Sequence, residues 1–234
     1  MTPSIGLVEE LCSRFKSTVE IHCLIRPRPG DFVYSDNEME VILRDILRFK
    51  TSGVHGIVVG ILLPNGLIDS RRMKMIRDIS EGMSLTFHRA YDVCSEIDEQ
   101  KVDALRCDRI LTSGRSSSAF DGRENIKNMV ARLKSQNSKL KVIAAAGISS
   151  KNVKEIIITS APHVSQITSE SFASYLFLMN FDFLKGIHAG SSVCEKLLVT
   201  LSGNKSEDGI NLKATSIVHM GNKVFSYQLL KKSS

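Results

Sequence analysis

In the stretch Leu85-Thr86-Phe87-His88-Arg89-Ala90-Tyr91-Asp92, residues suited to a buried strand run straight into a histidine, an arginine and an aspartate. Histidine near neutral pH serves as acid, base or metal ligand. Arginine forks onto carboxylates and phosphates, and aspartate holds cations in place. The pattern recurs along the chain. Val19 to Arg26 reads as a strand ending on Arg26, followed by the loop Pro27-Arg28-Pro29-Gly30-Asp31-Phe32. Arg109-Ile110-Leu111-Thr112-Ser113-Gly114 ends on Ser113. Arg26, Asp31, His88, Arg89, Asp92 and Ser113 are therefore the candidate ligand-binding residues. Each falls at or just past a strand's C-terminal end, the edge where parallel α/β folds bind ligands. Asp31 and Asp92 are expected to orient Arg26 and His88. A salt-bridged network that only closes the top of the fold is the competing reading.

The elements that must carry these groups show in the periodicity. Ser84, Thr86 and His88 share one face of their strand, and Met83, Leu85 and Phe87 the other. Likewise His22, Leu24 and Arg26 oppose Ile21, Cys23 and Ile25. The apolar face suits an outer layer of helices and the smaller face a barrel interior. Gly56–Ile61, Arg109–Gly114, Lys141–Gly147 and His163–Thr168 also read as strands, with the inward face of 109–114 left open. Ile5, Val8, Leu11, Cys12 and Phe15 fall at helical spacing. Ser35 with Glu38 forms a capping box ahead of the stripe Met39, Ile42, Leu43, Ile46 and Leu47, which stops near Gly53. Met73, Ile76 and Ile79 mark the next helix, and further helices are expected over about 95–105, 123–135 and 152–159. Strand and helix alternate with short connections, so the sheet is parallel and built from βαβ units.

Past about residue 190 the rhythm changes. Leu197–Leu201 and Thr215–Leu229 look like strands of a hairpin with Gly221-Asn222 at its turn. Ser202–Gly209 is polar and reads as a connecting segment. The expected division is a barrel domain over 1–190 and a hairpin extension over 191–234.

The 234 residues suffice for one α/β barrel and are too few for two large domains. No apolar run approaches 18 residues, so no membrane partner is expected. The net charge of +6 is spread along the chain, which argues against a nucleic-acid partner. Five scattered cysteines favour reduced thiols, with the cytoplasm as the expected compartment and the nucleus as an alternative.

Four segments in series resemble the CutC copper-homeostasis family. They are Thr2-Pro3-Ser4-Ile5-Gly6, the run from Ile25 to Asp36, Thr86 to Asp92, and Arg109 to Gly114. The resemblance covers residues 2–168. It implies a (βα)₈ TIM-type barrel, a cytoplasmic and often oligomeric protein, and Cu(I) as ligand, with no established reaction. Against that family the chain lacks the first two βα units, whose strands each hold a cysteine. The glycine-rich tip of the family's seventh strand is reduced to Ala145-Ala146-Gly147. The missing strands imply two open sheet edges, since the hairpin favours antiparallel pairing; lower stability, association through the edges and weak Cu(I) binding follow. Cu(I) prefers thiolates and thioethers, yet no Cys-x-x-Cys or Met-x-x-Met pair is present, and Cys23 points to the helix layer. A small-molecule enzyme using Arg26, His88 and Asp92 at the barrel mouth is the alternative function.

Overall fold

The computed structural model describes residues 1–17, 20–96, 99–149, 151–160 and 162, and the backbone of strands at 164–167, 198–206 and 209–218. Helix α1 (Ile5–Phe15) leads into strand β1 (His22–Leu24). The order continues α2 (Asp36–Ser52), β2 (Gly56–Val59), α3 (Ser70–Ile79) and β3 (Ser84–Phe87). A single turn α4 (Ala90–Val93) and a short helix α5 (Glu99–Ala104) precede β4 (Arg109–Thr112). Then come α6 (Arg123–Ser135), β5 (Lys141–Ala144), α7 (Val153–Ser160) and β6 (Val164–Ile167), and last β7 (Leu198–Ser206) and β8 (Gly209–Val218).

The helices form where capping and periodicity agree. The Ser35 hydroxyl accepts the Glu38 N–H at 3.3 Å, and the Glu38 carboxylate accepts the Ser35 N–H at 2.7 Å. The buried stripe of α2 is Met39, Ile42, Ile46 and Phe49. Leu47, expected in that stripe, is 51% exposed. The reason is the 3.6-residue period, which carries the face from Ile46 on to Phe49 and leaves Leu47 about 100° away. Among the described residues no helix is long and apolar enough to cross a membrane.

Strands β1 to β6 pair in chain order, each parallel to the next. Helices connect them, so this part is the expected α/β barrel wall. Alternation sorts the side chains as anticipated. Ile21, Cys23, Ile25, Met83, Leu85 and Phe87 join the large outer core under the helices. Leu24, Val58, Leu111, Ile143 and Ala145 make a separate cluster that fills the interior. The membership of Leu111 resolves the open question for β4: Arg109, Leu111 and Ser113 point inward. Each fully buried side chain of this size is worth about 1.5–3 kcal/mol of transfer free energy.

The sheet is closed, and the expectation of two open edges is corrected. Strand β7 runs antiparallel to β6, with Val164 opposite Ser202 and Ile167 opposite Val199. Strand β8 runs antiparallel to β7 and then parallel to β1, with His22 opposite Ile217 and Cys23 opposite Val218. A two-stranded ribbon placed between two parallel edges must meet one edge antiparallel and the other parallel. The hairpin does so, and the backbone groups of both edges are paired. The ribbon pairing runs as far as Ser206 opposite Gly209, so Ser202–Ser206 and Gly209, expected in the connecting segment, belong to the ribbon strands. Alternating serine, asparagine and lysine carry no apolar period, which is why the pairing was hidden. Gly221-Asn222, Leu197 and the stretch from 219 to Leu229 lie outside the described residues.

Candidate functional site

His88 follows β3 directly, its N–H bonded to the Val59 carbonyl at 3.1 Å. The ring is buried, 4% exposed, and occupies space that a side chain on Gly60 would fill: a Cβ there would lie 2.5 Å from His88 Nδ1. Nδ1 accepts the Ala90 N–H at 3.2 Å, so the neutral ring carries its hydrogen on Nε2. Phe32 packs against it at 4.7 Å between centroids.

Arg26 is fixed at both ends. Its main chain is clamped by Thr2: the Arg26 N–H donates to Thr2 Oγ1 at 2.8 Å, and the Thr2 N–H to the Arg26 carbonyl at 2.9 Å. Its guanidinium lies 4.7 Å from the Phe32 centroid and donates from Nη2 to the Gly30 carbonyl at 2.6 Å. Arg26 and His88, 62 positions apart in sequence, therefore meet on one aromatic ring at the C-terminal end of the barrel.

The acidic candidates serve other partners. Asp31 is exposed and pairs with Arg28 at 2.9 Å. The Arg28 hydrogen bond, helped by the Val33 N–H, holds its carboxyl below the ordinary carboxylate range. Arg28 in turn reaches Glu38 at 2.5 Å and the Val33 carbonyl at 2.7 Å, which fastens the loop to the start of α2. The Asp92 side chain is 5% exposed and accepts from Arg89 Nε at 2.8 Å, from the Ser113 N–H at 3.0 and 3.1 Å, from the Arg115 N–H at 3.3 Å and from the Thr112 hydroxyl. The buried Ser113 hydroxyl lies 3.0 Å from Asp92 Oδ2 and 2.7 Å from the Ser116 carbonyl, and it accepts from Arg89 Nη2 at 3.3 Å. So Arg89, Asp92 and Ser113 form one tied unit, while Arg26 and His88 form another. The expectation that Asp31 and Asp92 orient Arg26 and His88 is corrected: each carboxylate takes the arginine within three residues along the chain, which the loop or turn presents at hydrogen-bond distance.

Sequence reasoning missed Phe32, on which the first unit is built; its only signal was a large apolar residue in a polar loop. It also passed over the opposite end of the barrel. There His22 is fully buried beside Gly56, where a Cβ would lie 2.7 Å from the Ser84 carbonyl. His22 Nε2 donates to Glu20 at 3.2 Å, which leaves Nδ1 to accept from Arg109 at 3.2 Å, and Arg109 also donates to the Glu20 carboxylate at 3.2 Å. His22 shares the inward face with Arg26, which was the available signal.

That floor sets a pH dependence. The hydrogen bond from His22, followed by the charge of Arg109, pulls the Glu20 carboxyl down to about 2. Burial pushes the His22 imidazole below its ordinary 6.5. A depressed carboxyl stabilises the fold above its unfolded pKa and loses that stability as pH falls through the folded value. A depressed imidazole acts the same way, because the unfolded chain binds the proton first. Stability should therefore fall as pH drops below about 6.5 and keep falling in stronger acid. Denaturant melts at pH 7.5 and pH 5 would show it. His22→Gln should flatten the upper part of the slope, and an unchanged slope would contradict this assignment.

The donor set for a soft metal is poor among the described residues. Cys12, Cys23, Cys94 and Cys107 are all buried, and burial raises every one of these thiols, Cys107 to about 12. Cys23 faces the helix layer, as expected. Among the described residues no three His, Cys, Asp or Glu side chains gather into a metal-binding group.

A model of the CutC family matches residues 1–168. The chain belongs to the CutC family. A family protein CutC from Glaesserella parasuis is 40% identical over 160 residues, which cover 67% of this chain and 63% of that protein. One from Aliivibrio fischeri is 31% identical over 216 residues, covering 90% and 83%. The chain thus spans just under two thirds of the length of the Glaesserella CutC. A solved structure from Streptococcus agalactiae, described as a copper homeostasis protein CutC, superposes with TM-score 0.64 at 28% identity, over 69% of this chain and 79% of that one. A deoxyribose-phosphate aldolase from Coccidioides immitis reaches TM-score 0.51 at 15% identity, a likeness of fold alone. One position near the β5 tip is strained. Ala146 holds φ 84°, a left-handed conformation that costs an L residue about 1–2 kcal/mol. Part of that gain is offset by the greater freedom of glycine in the unfolded chain. Ala146→Gly should still raise stability by up to about 1 kcal/mol, readable as a shift in denaturation midpoint.

Proposed function

We propose that this CutC-family chain serves copper homeostasis, the role stated for its Streptococcus relative, and that it carries a ligand site at the barrel mouth. The observation that carries the site is the convergence of Arg26 and His88 on Phe32, beside the Asp92 unit, at the end where barrel proteins bind ligands. Cu(I) as cargo is supported by the family and by the preference of Cu(I) for sulfur. The described thiols oppose tight capture, since each would have to leave its packing and lose its proton. Titration of Cu(I) under reducing conditions against a competing chelator tests this. Affinity should be weaker than in a longer CutC relative that carries the additional strand cysteines. Equal affinity would overturn the expectation of weak capture, and no detectable Cu(I) binding would overturn the copper reading.

Small-molecule chemistry at the same mouth is favoured by one specific observation. His88 sits buried with a defined tautomer, in which Nε2 carries the hydrogen. In such chemistry Asp92 would act as a positioning residue, because its oxygens are already taken by Arg89, Thr112, Ser113 and Arg115.

A further inference from the structure

We infer that the mouth site takes a small oxyanion, a carboxylate or a phosphate, on the unused donors of Arg26. This rests on the reading of the mouth as a ligand site and names its ligand class. Arg26 forms no ion pair among the described residues, whereas Arg28 and Arg89 beside it are both paired with carboxylates. Its Nε is buried and has no hydrogen-bond partner among the described residues. A half-buried guanidinium with an unused N–H is costly unless something supplies oxygen acceptors. Among the described residues the only acceptor of its guanidinium is the neutral Gly30 carbonyl. Stacking on Phe32 and the bond to Gly30 hold the fork in one orientation, so little side-chain freedom remains to be lost on binding. His88 packs against the same ring, beside the Arg26 fork. The Thr86 hydroxyl, buried and without a partner among the described residues, lies on the same inward face two residues earlier. Asp31 and Asp92 are committed to other arginines, so neither competes for Arg26. The same charge disfavours a copper cation at this spot, which separates this ligand from Cu(I).

The test uses the whole chain and three probes: inorganic phosphate, succinate, and ribose as a neutral control. Calorimetric titration and melting temperature are read against sodium chloride at equal ionic strength. Phosphate or succinate should bind and raise the melting temperature beyond chloride, and the arm that responds identifies the source of the oxyanion. Arg26→Gln should weaken binding by about tenfold or more, with Arg26→Lys between, because lysine keeps the charge and loses the fork. If Arg26→Gln does not fold, the His88 ring signals of the wild-type chain should shift on titration with the responding anion, and their constancy overturns the proposal. Binding of neither anion overturns it, as does anion binding that Arg26→Gln leaves within twofold. If ribose alone binds and His88→Gln abolishes that, the mouth remains a ligand site and only the anion inference falls. If no probe binds, both fall.

Discussion

Asp92→Ala should destabilise the protein by about 3–5 kcal/mol, far more than any substitution at Asp31. The carboxylate is nearly excluded from water and accepts hydrogen bonds from the Arg89 guanidinium, the Thr112 hydroxyl and the backbone N–H groups of Ser113 and Arg115. Removing it leaves the Ser113 N–H and the Thr112 hydroxyl buried without acceptors, at about 1–3 kcal/mol each. Arg89 also loses its counter-ion at 2.8 Å. Asp31 is exposed, and its partner Arg28 keeps Glu38, so its loss leaves no group stranded. Asp92→Asn should fall between, because one oxygen remains but the new amide faces donors with donors. Equilibrium denaturation of the three variants measures the order. A loss below about 1 kcal/mol for Asp92→Ala would mean that solvent replaces the carboxylate, and that the site is far wetter than its burial indicates.

The two units at the mouth differ in how far they could be read from the residues. The inward set Ser84, Thr86 and His88, and the outward set Met83, Leu85 and Phe87, were legible because a two-residue period leaves no freedom once one face is apolar. The capping box at Ser35 and Glu38 was legible because both partners lie within one helical turn. Partner choice among the charges was not. Asp31 turns toward Arg28 because Gly30, at φ 102°, bends the loop back on itself. Asp92 meets Ser113 only because β4 lies beside β3, a distance of 21 residues along the chain. Phe32 acquires its role from two side chains on different strands. The hairpin closure was illegible for another reason: its pairing is carried by backbone groups of polar residues, which have no hydrophobic signature.

Gly122→Ala should be comparably damaging to Asp92→Ala, and for a reason that no polar contact reveals. The segment entering α6 passes directly over the end of β4. A Cβ on Gly122 would lie 2.9 Å from the Ser113 carbonyl carbon and 3.0 Å from the Gly114 Cα, with the Ser113 oxygen closer still. Carbon atoms pack at about 3.5–4.0 Å, so the two backbones would have to separate. Neither can yield cheaply. The Ser113 N–H is held by Asp92, and the Gly114 carbonyl accepts the Asn125 amide at 2.9 Å. Gly122 itself accepts the first main-chain bond of α6, from the Ile126 N–H at 3.0 Å. Overpacking a rigid contact costs typically 1–3 kcal/mol, and more where backbone meets backbone. The expected result is a loss of about 3 kcal/mol or more, with the Ser113–Asp92 contact broken as the strand tip moves. Denaturation measures the first effect. The second should appear as a weakened response to whichever mouth ligand is found, although Gly122 touches neither Arg26 nor His88. Wild-type stability in this variant would show that the crossing of 122 over 113 is looser than the backbone distances require.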